Sequence, residues 1–289
     1  MKFTSTIPSN VRNPMIITEY LTHRFTYHNM AEWTKIINEG RILINDNRCG
    51  DTNTIKAGDT ITYDPGDFEE PEANLSYSII FEDEWILAVD KPANLLVHRA
   101  GRSFRNNLVY QLRCVNTPPY PGCHPVHRLD RDTSGVVLIA KNSEVMKEFA
   151  VMFNEGRITK IYRAIIGGQP DFKTPFMIDS PISADKNSGV PFKFKVCDNG
   201  KPASTTIEDV RHLDNGLSML TIKPLTGRTH QIRVHLAAAG FPIVGDKTYG
   251  SSEHCGFSRQ ALHCESLSFI HPYTGRQCEI TAELPCDFF

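Results

Sequence analysis

The 289-residue sequence predicts an α+β protein: a mixed, mostly antiparallel sheet flanked by helices, preceded by a small α+β domain. Two observations lead to this prediction. From residue 75 onward, strand patterns come in runs with only a few helical patterns between them. Before that point, residues 64–74 combine proline, glycine and acidic side chains. Because such a composition does not sustain periodic structure, this stretch separates two domains.

The N-terminal part carries one clear helical pattern followed by strands. Trp33, Ile36 and Ile37 recur at helical spacing, which predicts a helix over 30–39 that stops at Gly40. Strand patterns follow at 41–47 and 56–63. We therefore divide the chain into an extension at 1–14, a small domain at 15–64, a linker at 65–74 and a large domain at 75–289.

The large domain is dominated by strand patterns bounded by turn residues. These patterns fall at 76–81, 85–90, 136–140, 158–166, 205–210, 217–222, 262–270 and 277–283. A hairpin is predicted around Asp214, Asn215 and Gly216. Apolar residues at helical spacing predict a helix over 143–155, with Ser143 as its N-terminal cap.

Composition and charge narrow the range of partners. The net charge of −2 does not indicate a polyanionic partner for the whole chain, and residues 1–74 hold 7 Lys and Arg against 11 Asp and Glu. Any nucleic-acid surface is therefore a local patch on the large domain. The eight cysteines form no Cys-x-x-Cys pair, and no apolar run is long enough to span a membrane. We expect a cytoplasmic monomer with free thiols and no membrane partner.

The most unusual stretch lies at 127–135 and reads HRLDRDTSG, directly ahead of a β-branched strand. It sets Asp130 between two arginines, Arg128 and Arg131, which favours the ionised carboxylate. A carboxylate held that way can serve as a nucleophile or an electrostatic stabiliser. From the spacing alone, a charged surface turn is an equally good interpretation.

A second charged stretch lies at 225–236. It predicts a helix from Thr229 to Ala239, with Thr229 as the cap. Arg228 would then stand just outside the helix, where it could pair with a buried carboxylate or contact a phosphate. His235 falls on the apolar face of this helix and is expected to be a core residue.

A third candidate is the strand that contains Lys160 and Tyr162. These two side chains share one face of the strand, and Arg163 lies on the other. An aromatic ring beside basic residues can stack on an extruded nucleobase, although a tyrosine in a strand is more often part of sheet packing.

Together these stretches resemble the RluA family of pseudouridine synthases over roughly residues 75–285. The matching motifs are HRLDRDTSG at 127–135, KIYRA at 160–164, GRTHQIR at 227–233, GFPIVGD at 240–246 and LH at 262–263. The family's Lys-Pro-x-Gly segment appears at 91–94 with Asn94 in place of glycine, a residue that tolerates a left-handed backbone. Residues 15–64 resemble the S4 RNA-binding domain, although their helix lacks its basic face.

The resemblance implies a pseudouridine-synthase-type sheet and conversion of uridine to pseudouridine in ribosomal or transfer RNA, with no cofactor and no metal. It implies catalytic roles for Asp130, for Arg228 as the ion-pair partner of Asp130, and for Tyr162 packed against the base. Arg128 would fill the space left when the base is flipped out. The other residues expected to contact substrate are His127, Lys160 and Ile243.

Three other interpretations remain open. Asp130 and Asp132 also approximate the Asp-x-Asp start of Mg²⁺-dependent aspartyl phosphotransferases, although there the hydrophobic strand precedes the pair. The chain could instead be a non-catalytic RNA-binding or ribosome-assembly factor on a synthase scaffold. A zinc site is the third possibility, although its spacings match no familiar structural site. Its candidate ligands are Cys123, His124, His127, His254, Cys255, His263 and Cys264.

Overall fold

The computed structural model describes residues 2–11, 13–66, 69–213, 216–250 and 256–288. The chain forms two compact units. The first consists of residues 1–71 together with 100–104, and the second of residues 72–99 and 105–289. The division after residue 71 falls inside the stretch that the sequence analysis treated as a linker.

In its described residues, the N-terminal unit forms two helices and six short strands. Their bounds are β1 Phe3–Thr6, β2 Met15–Ile16, α1 Ile17–Arg24, α2 Met30–Asn38, β3 Ile42–Ile44, β4 Asn47–Arg48, β5 Thr54–Ile55 and β6 Thr60–Tyr63. Four strands form an antiparallel sheet in the order β1-β6-β3-β4, and β2 pairs with β5.

Helix α2 confirms the predicted helix, and its start has a local cause. Asn29 accepts a hydrogen bond from the main chain of Glu32, and Glu32 accepts one from the main chain of Asn29. This capping box satisfies main-chain donors that the first turn of a helix leaves unpaired. The residues that gave the helical spacing, Trp33, Ile36 and Ile37, are buried in the core of the unit.

The assignment of residues 1–14 to an extension is wrong. Strand β1 pairs along its whole length with β6, from Phe3 opposite Tyr63 to Thr6 opposite Thr60. Ile7 is buried in the same core. The polar alternation of this segment concealed an edge strand, because only one of its faces packs inward.

The second unit is built on one large sheet. Its strands are β7 Ser78–Glu82, β8 Ile86–Lys91, β9 His124–Pro125, β10 Ser134–Ala140, β11 Thr159–Gly167, β12 Phe176–Asp179, β13 Ile182–Ala184, β14 Phe194–Val196, β15 Ser204–His212, β16 Leu217–Pro224, β17 Leu262–Ile270 and β18 Gln277–Thr281. Its helical segments are α3 Leu108–Tyr110, a π-turn Gln111–Val115, α4 Ser143–Asn154, α5 Gln231–Ala238 and a 3₁₀ turn Cys286–Phe288.

The large sheet runs β12-β15-β16-β11-β17-β10-β8-β7, with β18 beside β17 and β9 beside β10. Only the β10–β17 pair is parallel among the described strands, which confirms the predicted mixed, mostly antiparallel sheet. All seven residues of β10 are buried, as expected for a central strand covered on both faces. The separate β13–β14 hairpin packs near α5.

Two helix starts differ from the prediction. Helix α4 is capped by Asn142, whose side chain accepts from the main chain of residues 144 and 145, so Ser143 is its first residue and not its cap. Helix α5 begins at Gln231 because His230 adopts a left-handed backbone, with φ +56°, and interrupts the helix predicted from Thr229. The turn predicted around Asp214 and Asn215 lies outside the described residues. Within the described ranges, no helix has both the length and the apolar character to cross a membrane.

Candidate active site

Asp130 lies in a tight turn immediately before β10. The main chain of Thr133 donates to the Asp130 carbonyl at 3.2 Å, which closes the turn. Gly135, with φ +110°, follows at the point where β10 meets β17, and a Cβ at this position would overlap the carbonyl oxygen of Cys264. Only glycine fits both the backbone angle and the close approach.

The loop after β8 fixes the turn from the other side. The buried Lys91 ammonium donates to three carbonyls, those of Pro92, Leu95 and Arg131, at 2.8–3.1 Å. Burial lowers the pKa of Lys91 to about 7, despite the nearby carboxylates of the turn. Asn94 has φ +57°, as the substitution for glycine led us to expect. Its side-chain oxygen also accepts from the Arg131 guanidinium at 2.9 Å, a bond that glycine could not make.

The turn opens into a cavity of about 330 Å³, within the range of small-molecule sites. Six of the seven residues that the sequence analysis assigned to the site line this cavity: His127, Arg128, Asp130, Lys160, Tyr162 and Arg228. Ile243 does not. It is 1% exposed and lies opposite Ile166 in the hydrophobic core, so its assignment to substrate binding is wrong in this structure.

The ion-pair partner of Asp130 is Arg233 and not Arg228. Arg233 Nη1 donates to Asp130 Oδ2 at 2.9 Å, while its Nε and Nη2 donate to the fully buried Asp246 at 2.7 and 2.9 Å. The Arg228 guanidinium is exposed and donates instead to the carbonyl of Pro202 at 2.8 Å. The predicted pairing of Arg228 with Asp130 is therefore wrong.

The cause of this error is the path of the main chain. The left-handed His230 delays the helix, so the third residue of α5, Arg233, is directed at the turn. Gln231 stabilises this path. Its side chain accepts from the Thr226 hydroxyl at 2.6 Å and from the main chain of Arg228 at 2.9 Å.

The two charges missed by sequence reasoning, Arg233 and Asp246, are mutually stabilised. Burial by itself would lower the pKa of Arg233, but its bonds to Asp246 and Asp130 outweigh that effect and raise it. Burial would likewise raise the pKa of Asp246, and the bonds from Arg233 lower it instead. A signal was present, since both residues stand in the quoted motifs GRTHQIR and GFPIVGD.

Tyr162 contributes an apolar wall to the cavity, and Lys160 contributes a buried amine. Burial raises the pKa of Tyr162 well above its usual range. The neighbouring Cys264 thiol, which is hydrogen-bonded to Tyr162, raises it further. Burial raises the pKa of Cys264 to about 12, so neither group carries charge near neutral pH. Lys160 lies 5.9 Å above the ring of Phe153, and burial lowers its pKa.

His127 supports the turn through its ring. Its Nε2 accepts from the main chain of Leu138 at 3.0 Å, and burial, with Lys160 nearby, lowers its pKa to about 3. The residue is therefore neutral, and at least one ring nitrogen is committed to the fold. Arg128, by contrast, is exposed where it lines the cavity. His235 is buried as predicted, hydrogen-bonded to Thr205.

Metal ligation receives no support from the described part of the chain, where no group of three or more His, Cys, Asp or Glu is arranged to hold an ion. Of the residues weighed as zinc ligands, His254 and Cys255 lie outside the described residues.

Comparison with known proteins assigns the family. The model of the RNA pseudouridylate synthase family matches residues 85–238. The chain is 34% identical over 252 residues to a ribosomal large subunit pseudouridine synthase D of Zymomonas mobilis, covering 81% of this chain and 78% of that protein. It is 30% identical to a ribosomal large subunit pseudouridine synthase C of Vibrio parahaemolyticus, covering 86% and 83%.

A solved structure agrees with these relatives. Human RNA pseudouridylate synthase domain containing 1 is 30% identical and superposes with a TM-score of 0.61, covering 74% of this chain and 86% of that one. The chain therefore belongs to the RNA pseudouridylate synthase family. It is an isomerase that converts uridine in RNA to pseudouridine, and the predicted RluA-type assignment is confirmed. This replaces the phosphotransferase interpretation of Asp130 and Asp132.

Proposed function

We propose that this enzyme modifies uridines of ribosomal RNA and that Asp130 is the group that acts at the sugar C1′. The observation that carries the proposal is the Asp130–Arg233 ion pair at 2.9 Å in the wall of the cavity. Support for ribosomal RNA comes from the relatives named as ribosomal large subunit synthases. Transfer RNA, the other substrate considered from the sequence, is an outcome that the experiment below separates.

The chemistry requires an anionic group beside C1′. The C1′–N1 bond breaks, the free uracil rotates, C5 bonds to C1′, the proton on C5 leaves and N1 takes up a proton, so the reaction needs no oxidant and no energy source. Arg233 donates to Asp130 Oδ2 and fixes the position of the carboxylate. Tyr162 is neutral and buried, so it offers a ring face against which the uracil packs while it is detached. Lys160 adds a donor at the same wall.

The target base must leave its helix or stack to enter the cavity. Arg128 is exposed two residues before Asp130, and we propose that it occupies the space which the base vacates. An arginine can hydrogen-bond an orphan base and stack on its neighbours at the same time. Arg228, the other exposed arginine of the lining, is proposed to contact the RNA backbone and to take no part in bond breaking.

The N-terminal unit is proposed to be an S4-type module that contributes weakly to RNA binding. Its two helices followed by strands β3 to β6 support the S4 resemblance, and its excess of acidic residues argues for a weak contribution. We further propose that the enzyme acts as a cytoplasmic monomer. The described cysteines carry free thiols, as expected of a reducing compartment.

The experiment that tests the proposal maps pseudouridine across total RNA from cells without this protein, complemented with the wild type or with Asp130→Asn. We expect a small set of ribosomal RNA sites to be restored by the wild type alone. Restoration of transfer RNA sites instead would contradict the proposed substrate. Restoration by Asp130→Asn would contradict the role of Asp130 and favour a non-catalytic RNA-binding or assembly factor.

A further inference from the structure

His230 lies beside the Asp130 carboxylate and is not accounted for by the steps above. Its Nε2 is 3.8 Å from Asp130 Oδ2, and its Nδ1 is 2.9 Å from the hydroxyl of Tyr249. The imidazole is largely buried and lines the cavity. A histidine that connects a tyrosine to a catalytic carboxylate is able to influence the orientation of that carboxylate.

The hydrogen bonds assign one tautomer to this ring. The Tyr249 hydroxyl accepts from the main chain of Phe194 at 2.9 Å, and its own proton is therefore available to His230 Nδ1. Burial lowers the pKa of His230, so the imidazole is neutral near pH 7. With Nδ1 accepting, the single ring proton is on Nε2, the nitrogen that faces Asp130.

The surroundings hold the ring in this position. The left-handed backbone of His230, with φ +56°, is strained, and contacts with its neighbours must offset that strain. The rings of Phe194 and Tyr249 each lie 5.7 Å from the imidazole in edge-to-face contact. Tyr249 is itself fixed, because its main chain donates to Asp246 at 3.1 Å and the Arg233 guanidinium lies over its ring.

Among the described residues, the hydrogen bond and the ion-pair contacts to the Asp130 carboxylate go to the same oxygen, Oδ2, which receives Arg233 Nη1 and faces His230 Nε2. We propose that His230 is a positioning residue: together with Arg233 it holds Oδ2, so that Oδ1 is the oxygen presented to the sugar. This rests on the role proposed for Asp130. The 3.8 Å separation exceeds a hydrogen bond, as is common for catalytic contacts before substrate binds.

Substitutions at His230 separate positioning from packing. The amide nitrogen of His230→Gln can replace Nε2, whereas His230→Asn reaches only the position of Nδ1. We expect His230→Ala and His230→Asn to lower the single-turnover rate constant about 10- to 100-fold, and His230→Gln to stay within about fivefold of wild type. RNA affinity should be unchanged in all three. Tyr249→Phe removes the donor to Nδ1, so the tautomer is no longer fixed. Its rate constant should lie between those of His230→Gln and His230→Asn.

The controls decide between outcomes. His212→Ala removes an exposed histidine that does not line the cavity, and its rate constant should match wild type. Equal losses in His230→Gln and His230→Asn, a wild-type rate in His230→Ala, or a loss confined to RNA affinity would each overturn the proposal. Asp130→Asn, measured in parallel, identifies the source of failure. If it is inactive while His230→Ala is fully active, only the positioning role fails; if it is active, the proposed function itself fails.

Discussion

Two segments meet at the cavity, and different kinds of contact hold them. The turn at 127–135 is fixed mainly through its main chain. Lys91 and Leu95 both donate to the carbonyl of Arg131, and Gly135 packs directly on the backbone of β17. These contacts leave the Asp130 side chain free to take its direction from elsewhere.

The segment at 226–233 is fixed by side chains. Gln231 bonds the loop on both sides, and Arg233 bridges Asp130 and Asp246. The two segments therefore have different structural roles. The turn places the Asp130 carboxylate at the cavity, and the side-chain network of the other segment orients it.

The largest effect is expected at Arg233. Arg233→Ala leaves Asp246 buried without its partner, which costs about 3–5 kcal/mol of stability, and it removes the orientation of Asp130. Arg233→Lys keeps one charge but cannot bridge both carboxylates, and its turnover should fall at least about 100-fold. Arg228→Ala is the matched control, with a rate constant within a few-fold of wild type. Single-turnover kinetics measure the loss of turnover, and thermal unfolding measures the loss of stability. A greater loss of turnover in Arg228→Ala than in Arg233→Lys would mean that Arg228, and not Arg233, supports Asp130.

How far the sequence could predict these two segments follows from their construction. The turn is recognisable because its glycine and charges are contiguous. The other segment depends on one left-handed residue, His230, which local helical spacing did not indicate, so Thr229 was taken as the cap and Arg228 as the partner. Asp246 is 13 residues from Arg233, and only the folded chain brings the two together. The assignment of Ile243 to substrate binding was wrong for a related reason. Membership of a motif does not determine whether a side chain faces the cavity or the hydrophobic core.

A second prediction concerns the main-chain support of the turn. Gly135→Ala would introduce a Cβ into the carbonyl of Cys264 at φ +110°, and the expected destabilisation is about 2–5 kcal/mol. Gly156→Ala has φ +70° but no atom within 4 Å of the added Cβ, so strain alone should cost about 1 kcal/mol. Chemical denaturation of both variants gives the two values. Equal destabilisation would show that the close approach to β17 is unimportant.

The low pKa of His127 predicts that the stability of the protein depends on pH. Its pKa is about 3 in the folded protein and about 6.5 when unfolded, so below pH 6.5 the unfolded chain binds one more proton. The free energy of unfolding should therefore decrease on acidification, by up to about 1.4 kcal/mol per pH unit from this group. His127→Gln can keep the acceptor for Leu138 without titrating, and its unfolding curve should be less steep by that amount between pH 4 and 6. If the free energy of unfolding changed equally with pH in the wild type and in His127→Gln, His127 would not contribute to this pH dependence.

The smallest effect is expected at Asn94. Asn94→Gly loses the 2.9 Å bond to Arg131 but relieves a positive φ, and the two changes should cancel to within about 1 kcal/mol. The turnover rate should stay within a few-fold of wild type, as measured beside the wild-type protein at one RNA concentration. A large loss would mean that the turn depends on this side chain and not on Lys91.

We propose that the carboxylate of Asp130, oriented by Arg233, acts in breaking the C1′–N1 bond. The most direct test of this proposal is the release of tritium from RNA labelled at C5 of uridine, because that proton leaves when C5 bonds to C1′. Asp130→Asn keeps the shape of the side chain and removes its charge. We predict that it binds RNA with wild-type affinity and releases no tritium. Release at a rate near that of the wild type would show that the Asp130 carboxylate is not needed to break the bond.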